Sequence, residues 1–184
     1  NELAKSSGAE GMVGGQMLDL EAEKKTLTLE KIFQLQRLKT GELFRFSCIA
    51  PCILAEKYEE LEVFEDFSSK LGLAFQIKDD LFDYGEAEVG KPRGNDLREG
   101  KKTLPLILAH ELAPSADRRW LEKQVRLSRT KGHARKKTIE YVKNSGAIEA
   151  SNKEMLSFAE KAKDALSILN PSEAVNSLIL LADY

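Results

Sequence analysis

Apolar residues recur at helical spacing along almost the whole of this 184-residue chain. Positions three, four and seven apart share one face of an α-helix, so this period indicates amphipathic or buried helices. No segment shows the strict apolar and polar alternation of a half-buried strand. The sequence therefore predicts an all-α fold, a helical bundle whose ligand site is built from side chains on facing helices.

Prolines and polar residues mark the ends of the predicted helices. Pro51 is expected to bend or interrupt the first long helix, whereas Pro105 suits a first helical turn. Asn170, Pro171 and Glu173 form the expected cap of the last helix. The predicted helices cover residues 27–54, 64–84, 104–112, 139–144, 153–169 and 171–184.

Composition narrows the class of protein. With 42% hydrophobic and 32% charged residues, the chain can form one sizeable helical core, and one domain is expected. The formal net charge of -2 provides no global attraction to nucleic acid or to a membrane surface. No apolar run reaches the ~18 residues of a membrane span, and no signal peptide is visible. We expect a cytoplasmic protein without stable membrane insertion.

The cysteines and the most basic stretch have simple explanations. Cys48 and Cys52, with His110 and His133, supply neither a disulfide framework nor a four-ligand zinc site, so we expect reduced core thiols. The stretch RLSRTKGHARKK at residues 126–137 has no interleaved aromatic residue. It is therefore interpreted as a solvated helix end or loop, not a nucleic-acid site.

Both ends of the sequence have the pattern expected where a longer chain has been cut. The chain opens with Asn1 in a segment that is already helical in pattern, and it closes on the apolar run SLILLADY without a terminating glycine or proline. We expect the sequence to be part of a longer chain, with an N-terminal portion absent.

Three carboxylates follow an apolar stretch near the end of the second predicted helix. Asp79, Asp80 and Asp83 have the spacing that places them on one helical face. The macrodipole disfavours negative charge at this end of a helix, and the one adjacent lysine, Lys78, does not balance three acids. Because a structural explanation needs several basic partners, the cluster favours a hard cation that prefers oxygen ligands, such as magnesium.

A basic, glycine-rich segment, GEAEVGKPRGNDLREGKK, follows the acids at residues 85–102. It predicts a mobile loop whose cations suit an anionic ligand held through magnesium, with diphosphate as the natural candidate. An ordinary solvated connection remains open for this loop alone. Lys39 and Thr40 lie in the middle of the first long helix, where a lysine is either a surface residue or a group aimed into a polar site; position alone favours the surface.

Four motifs occur in order up to Pro105: GMVGGQMLDL, KTGELFR, GLAFQIKDDLFDYGE and GKPRGNDLREGKKTLP. In order and spacing they resemble the trans-isoprenyl diphosphate synthases, the polyprenyl synthetase family. The GGQ segment followed by KTG is most similar to the short-chain farnesyl diphosphate synthases, also called geranyltranstransferases. The two later motifs also suit longer-chain members, so the product length stays open.

The resemblance implies an isoprenoid-synthase-type helical bundle around a central cavity, a homodimer, and three Mg²⁺ ions. The implied reaction condenses isopentenyl diphosphate with an allylic diphosphate, geranyl or dimethylallyl, to give farnesyl diphosphate and diphosphate. Matched position by position, Asp79, Asp80 and Asp83 are the second aspartate-rich motif and the metal ligands, with Asp79 the expected direct ligand. The implied substrate-binding and catalytic residues are Lys39, Lys91 and Lys101 at the allylic diphosphate, Thr40 and Gln76 at the developing cation, Phe75 on the isopentenyl side, and Gln16 on the helix beside the cavity.

One departure concerns the sequence upstream of these motifs. The family's first aspartate-rich motif and the isopentenyl-binding arginines are absent, so residues 1–184 resemble the C-terminal portion of a single prenyl-synthase domain, and this portion alone is expected to be inactive. The alternatives are a longer-chain synthase (geranylgeranyl or octaprenyl), a noncatalytic prenyl-synthase-like subunit, and a class I terpene cyclase. The intact acids and lysines argue against the subunit, and the KTG and GKxxGxD segments argue against the cyclase.

Overall fold

The computed structural model describes residues 1–22, 28–85 and 94–183. Within these ranges every regular element is helical and no strand occurs, so the predicted all-α fold class is confirmed. The elements in chain order are α1 (Glu2–Ser7), α2 (Met12–Ala22), α3 (Leu29–Gln36), a π-helical turn (Arg37–Gly41), α4 (Glu42–Leu54), a 3₁₀ turn (Tyr58–Glu60), α5 (Leu61–Phe82), α6 (Asn95–Glu99), α7 (Leu104–Leu112), α8 (Ser115–Ser128), α9 (Gly132–Asn144), α10 (Ala147–Leu166) and α11 (Glu173–Asp183).

The chain divides into two compact units. Unit 1 contains Asn1–Leu18, Phe33–Gln76 and Met155–Tyr184, and unit 2 contains Asp19–Ile32 and Ile77–Glu154. Helix α5 contributes residues to both. Each unit has an apolar core of its own, so each is described by itself.

The core of unit 1 is supplied by α5 and α10. Val63, Phe67 and Leu71 of α5 are buried with Ala162 and Leu166 of α10. The α5 residues are four positions apart, which gives the helix one continuous apolar stripe. Partly buried side chains of α4 and α11 complete this core, among them Phe44, Cys48, Val175, Leu178, Ile179 and Ala182.

The core of unit 2 gathers side chains from the end of α5 and from α6 to α10. Its buried members are Tyr84, Leu97, Leu106, Ala109, Leu121, Val142 and Ala147. Helices α8 and α9 also share a buried polar contact, because Ser128 Oγ and Thr138 Oγ1 are hydrogen-bonded at 3.1 Å. This pairing satisfies two hydroxyl groups that would otherwise be costly to bury.

The predicted helix over residues 27–54 is not uniform where the structure describes it, from residue 28 onward. A π turn, Arg37–Gly41, separates α3 from α4 and was not predicted. Pro51 does not interrupt the chain, because α4 continues to Leu54. A proline inside a helix removes one N–H from the hydrogen-bond ladder and its ring crowds the carbonyl four residues earlier, and α4 keeps its helical backbone despite this cost.

The prediction of a loop over residues 85–102 is wrong for Asn95–Glu99, which form α6. Residues 86–93 lie outside the described part of the chain. Gly94 and Gly100 border α6 with φ angles of 71° and 82°. These left-handed conformations cost glycine little, so the pair delimits a short helix inside a glycine-rich segment.

The C-terminal half differs from prediction in one missed helix, α8, and in the positions of several helix ends. Helix α8 was not predicted, because charged and polar residues fill most of its positions. The basic stretch 126–137 covers the end of α8 and the start of α9, as expected of a helix end. The cap of α11 is Ser172, whose Oγ accepts the Val175 N–H at 3.2 Å, in place of the predicted residues 170, 171 and 173.

Two further observations concern the expected class of protein. Cys48 and Cys52 are free thiols, as the sequence predicts. Among the described helices, none combines the length and apolar character needed to cross a membrane.

Candidate functional site

The π turn Arg37–Gly41 in unit 1 carries two of the predicted site residues, Lys39 and Thr40. A π turn inserts an extra residue into a helix and changes the direction of the side chains it carries, and such turns are frequent at functional sites. Lys39 and Thr40 are both half-buried. Lys39 is therefore not a fully solvated surface lysine, and its role in a polar site stays a prediction.

Thr40 contacts Gln76, which the sequence assigned to the same role. The Thr40 Oγ1 hydroxyl donates a hydrogen bond to Gln76 Oε1 at 2.9 Å. A hydroxyl has one proton and two acceptor lone pairs, so this bond commits the proton of Thr40 and leaves its lone pairs directed elsewhere. The pair can therefore present oxygen electron density to a positively charged group.

An aromatic surface adjoins this polar pair along the chain. Phe75 precedes Gln76 on α5 and is 53% exposed, so a ligand can reach its ring. Its ring centroid lies 5.3 Å from that of Phe44, at an interplanar angle of 47°. Unit 1 thus presents an exposed aromatic surface at the residue that precedes Gln76.

The carboxylates at the end of α5 have structural partners in unit 2. Asp80 is buried, and its Oδ2 accepts the backbone N–H of Leu104, the first residue of α7, at 3.1 Å. Asp83 is also buried, and its two oxygens accept the N–H groups of Asn95 at 2.8 Å and of Asp96 at 3.2 Å. The first N–H groups of a helix lack intrahelical acceptors, so these two carboxylates cap α7 and α6.

The surroundings of Asp83 change the pKa of its carboxyl group in opposite directions. Burial and the neighbouring charge of Asp96 raise the pKa of the Asp83 carboxyl, whereas the backbone N–H bonds from the start of α6 oppose that rise. Asp79 is half-buried on the same helical face. The three acids therefore differ in environment, although the sequence spacing treats them as one cluster.

The donor set of α5 is compatible with magnesium. In the ranges 1–22, 28–85 and 94–183, no three His, Cys, Asp or Glu side chains are grouped so that they could hold a metal ion. Magnesium, however, takes only one or two protein carboxylates and completes its shell with water and phosphate oxygens. A carboxylate has about four acceptor positions, so the bond to Leu104 does not exclude Asp80 from such a shell. Asp79 and Asp80 fit this donor set better than Asp83, whose two oxygens both serve α6.

Lys101 lies in unit 2 and is paired with acids. Its Nζ is 3.1 Å from Asp96 Oδ1 and 2.8 Å from Glu99 Oε2. Partial burial acts against the charged form, but the hydrogen bond to Glu99 and the charge of Asp96 together raise the pKa of Lys101 above its ordinary value. Lys101 therefore remains a cation, and contact with a diphosphate would require it to exchange these carboxylates for phosphate oxygens.

The predicted site residues fall into two sets, one in each unit. Gln16 lies on α2 in unit 1 and is exposed, and Lys91 lies outside the described residues. The structure brings Thr40 and Gln76 into contact through a hydrogen bond. The unit 1 set contains Gln16, Lys39, Thr40, Phe75 and Gln76, and the unit 2 set contains Asp79, Asp80, Asp83 and Lys101.

Sequence reasoning missed the buried contact that ties the end of α5 to the start of α7. Tyr84 OH and Thr103 Oγ1 are hydrogen-bonded at 3.1 Å in the core of unit 2. Burial raises the pKa of the Tyr84 phenol far above its ordinary value, so the group stays neutral. No local pattern indicates this pair, because its partners are 19 positions apart.

Comparison with known proteins gives the family. The family model described as polyprenyl synthetase matches residues 5–142. Farnesyl diphosphate synthase from Bacillus subtilis (strain 168) is 44% identical over 114 residues, which cover 60% of this chain and 38% of that protein. The all-trans-nonaprenyl-diphosphate synthase (geranyl-diphosphate specific) from Rhodobacter capsulatus is 35% identical over 179 residues, which cover 96% of this chain and 54% of that protein.

Solved structures agree with the sequence relatives. A polyprenyl synthase from Caulobacter crescentus CB15, crystallised with calcium and isoprenyl diphosphate, matches with a TM-score of 0.90 at 31% identity, over 99% of this chain and 56% of that chain. The predicted isoprenoid-synthase-type bundle is thereby confirmed. This chain spans between 38% and 56% of the length of these three proteins. The chain belongs to the polyprenyl synthetase family.

Proposed function

We propose that the natural protein is a trans-prenyltransferase that condenses isopentenyl diphosphate with geranyl or dimethylallyl diphosphate, giving farnesyl diphosphate and diphosphate. The hydrogen bond from Thr40 to Gln76, made on a π turn, is the observation that carries this proposal. It presents two polar oxygens beside an exposed aromatic ring, as the stabilisation of an allylic cation requires. Family membership supports the same chemistry.

The reaction begins when the C–O bond between the allylic group and its diphosphate breaks and the electron pair leaves with the diphosphate. Lys39 and Lys101 bind the departing anion, and Lys91 joins them in the proposed set. Thr40 and Gln76 direct their oxygens at the positive charge that develops on the allylic carbons. Preorganised groups that face the charge developing in a transition state are typically the largest contribution to catalysis.

The second half of the reaction forms the carbon–carbon bond. The double bond of isopentenyl diphosphate supplies the electron pair for the new bond, and Phe75 packs against this substrate. A proton then leaves the isopentenyl unit, and its bonding electrons form the new double bond. The departed diphosphate accepts that proton, so the chain's own residues need only hold the anion in reach.

Asp79 and Asp80 would hold magnesium, and Asp83, whose oxygens accept the N–H groups of Asn95 and Asp96, is the third acid of the proposed set. Bound magnesium neutralises charge on the diphosphate leaving group. The Caulobacter crescentus structure is a complex with calcium, which is a divalent cation, and isoprenyl diphosphate. The number of ions, three, and the homodimer stay predictions of the resemblance, and the cytoplasmic location stays a prediction from the sequence.

The two sequence relatives are named for different product lengths. The relative with the higher identity is a farnesyl diphosphate synthase, and the one that covers nearly the whole chain is a nonaprenyl diphosphate synthase. We propose farnesyl diphosphate because the GGQ segment followed by KTG is most similar to the short-chain enzymes. A longer-chain product is the alternative.

Substitution of Asp79 tests the proposed function. In the full-length natural polypeptide, Asp79→Ala should lower turnover of geranyl and isopentenyl diphosphates by at least ~10²-fold, because a metal ligand at a charge-developing centre is lost. Asp66→Ala is the matched control: Asp66 lies on the same helix, is exposed and pairs only with Lys70 among the contacts described. Turnover of Asp79→Ala within a few-fold of the control would contradict the assignment.

A further inference from the structure

The π turn that carries Lys39 and Thr40 lies directly against the backbone of α2. A Cβ atom added at Gly15 of α2 would lie 2.6 Å from Lys39 Cα and 2.8 Å from the Leu38 carbonyl carbon, and it would also meet the Lys39 backbone nitrogen. Carbon atoms that are not bonded make their best contacts at about 3.5–4.0 Å. Position 15 therefore has room for no side chain, and the atoms it would displace are main-chain atoms, which cannot rotate away.

The same turn is in close contact with α5 as well. A Cβ atom added at Gly72 would lie 3.2 Å from Gly41 Cα, the last residue of the turn, and 3.7 Å from the Phe44 side chain. This contact is tight, but a shift of a few tenths of an ångström would relieve it. The π turn thus packs closely against two glycines, Gly15 on α2 and Gly72 on α5. An added Cβ atom would make shorter contacts at Gly15 than at Gly72.

We propose that Gly15 and Gly72 are positioning residues for prenyl transfer, which fix the π turn and so the placement of Lys39 and Thr40. This inference rests on the proposed function. A methyl group at Gly15 requires the backbone of the turn or of α2 to move by about 1 Å. Displacements of this size at positioned groups can cost ~10² in rate. A methyl group at Gly72 requires a smaller movement, so it should cost less.

The variants Gly15→Ala and Gly72→Ala test the proposal, with Gly132→Ala as the matched control. Gly132 is also helical, and a Cβ atom there meets nothing within 4 Å. In the full-length polypeptide, Gly15→Ala should lower kcat by about tenfold to a hundredfold, with little change in KM for isopentenyl diphosphate, and Gly72→Ala by about threefold. Gly132→Ala should leave kcat unchanged. Unchanged kcat in Gly15→Ala would overturn the proposal.

A merely structural effect is distinguished by combining the variants with Thr40→Val. If Gly15 acts through the turn, its effect depends on what Thr40 does there, so the fold-loss from Gly15→Ala should shrink by at least about threefold in the Thr40→Val background. Equal losses in both backgrounds would mean general damage and would overturn the proposal. If Gly15→Ala does not fold, the same comparison with Gly72→Ala decides.

Failure of the proposed function gives a different result. A wild-type protein that forms no prenylated product contradicts the function, whatever the glycines do. The claim that Gly15 fixes the backbone of the π turn is then tested separately by hydrogen exchange. The amides of residues 37–41 should exchange faster in Gly15→Ala and not in Gly132→Ala. Identical exchange in the two variants would show that Gly15 does not hold the turn.

Discussion

The π turn in unit 1 and the acidic end of α5 in unit 2 hold their polar side chains by different means. On the π turn, the backbone is fixed by close packing against Gly15 and Gly72, and Thr40 itself donates one hydrogen bond, to Gln76. At the acidic end, Asp80 and Asp83 accept the N–H groups that begin two other helices. We therefore expect that a side chain of the π turn can be exchanged with little loss of stability, whereas Asp80 and Asp83, which belong to the proposed site, also stabilise two helix ends.

Among the polar side chains of these two regions, the largest effect on stability is expected at Asp83. Asp83→Ala leaves the N–H groups of Asn95 and Asp96 without their acceptor, so the free energy of unfolding should fall by about 2–3 kcal/mol. Chemical denaturation measures this, with Asp183→Ala as the control, because Asp183 forms an exposed pair with Lys163 that is worth under ~1 kcal/mol. If the free energy of unfolding falls equally in Asp83→Ala and Asp183→Ala, the capping role of Asp83 in stability is wrong.

Thr40 should give the opposite pattern, a loss of activity with little loss of stability. Thr40→Val keeps the shape of the side chain but removes the hydroxyl, so turnover should fall by about tenfold, the equivalent of one hydrogen bond of ~1.4 kcal/mol. Thr40→Ser keeps the hydroxyl and serves as the control. Steady-state kinetics and thermal unfolding of both variants check the prediction, and a Thr40→Val protein that is fully active but destabilised would reverse it.

Lys101 should give the smallest change in stability. Its ion pairs with Asp96 and Glu99 are partly exposed, so Lys101→Gln should lower the free energy of unfolding by no more than about 1 kcal/mol. KM for the allylic diphosphate should nevertheless rise, since the proposed role of Lys101 is to bind that anion. If unfolding changes strongly while KM does not, Lys101 is a structural residue of unit 2 and no part of the site.

Periodicity alone was sufficient to predict the helical class and most of the helices. Helix α7 begins and ends where predicted, at Leu104 and Leu112, because Pro105 and the apolar run define it locally. Helix α6 could not be predicted in the same way, because its cap comes from Asp83, twelve positions earlier. The π turn depends on close contacts with Gly15 and Gly72, and no spacing rule within residues 37–41 indicates it.

For the candidate site, the sequence identified residue types better than their surroundings. The pairing of Thr40 with Gln76 joins positions 36 residues apart, and only the family resemblance associated them before the fold was seen. The helical spacing of Asp79, Asp80 and Asp83 indicated one face, but it could not distinguish a half-buried acid from two buried helix caps. That distinction depends on where α6 and α7 begin, which is a tertiary property.

Elongation of an allylic diphosphate by one five-carbon unit is the most direct test of the proposed prenyl transfer. The full-length polypeptide would be incubated with geranyl diphosphate and labelled isopentenyl diphosphate, with and without Mg²⁺, and the products separated by chain length. The expected result is labelled farnesyl diphosphate that appears only with Mg²⁺. Recovery of both substrates unchanged, or release of diphosphate without any new carbon–carbon bond, would contradict the proposed function.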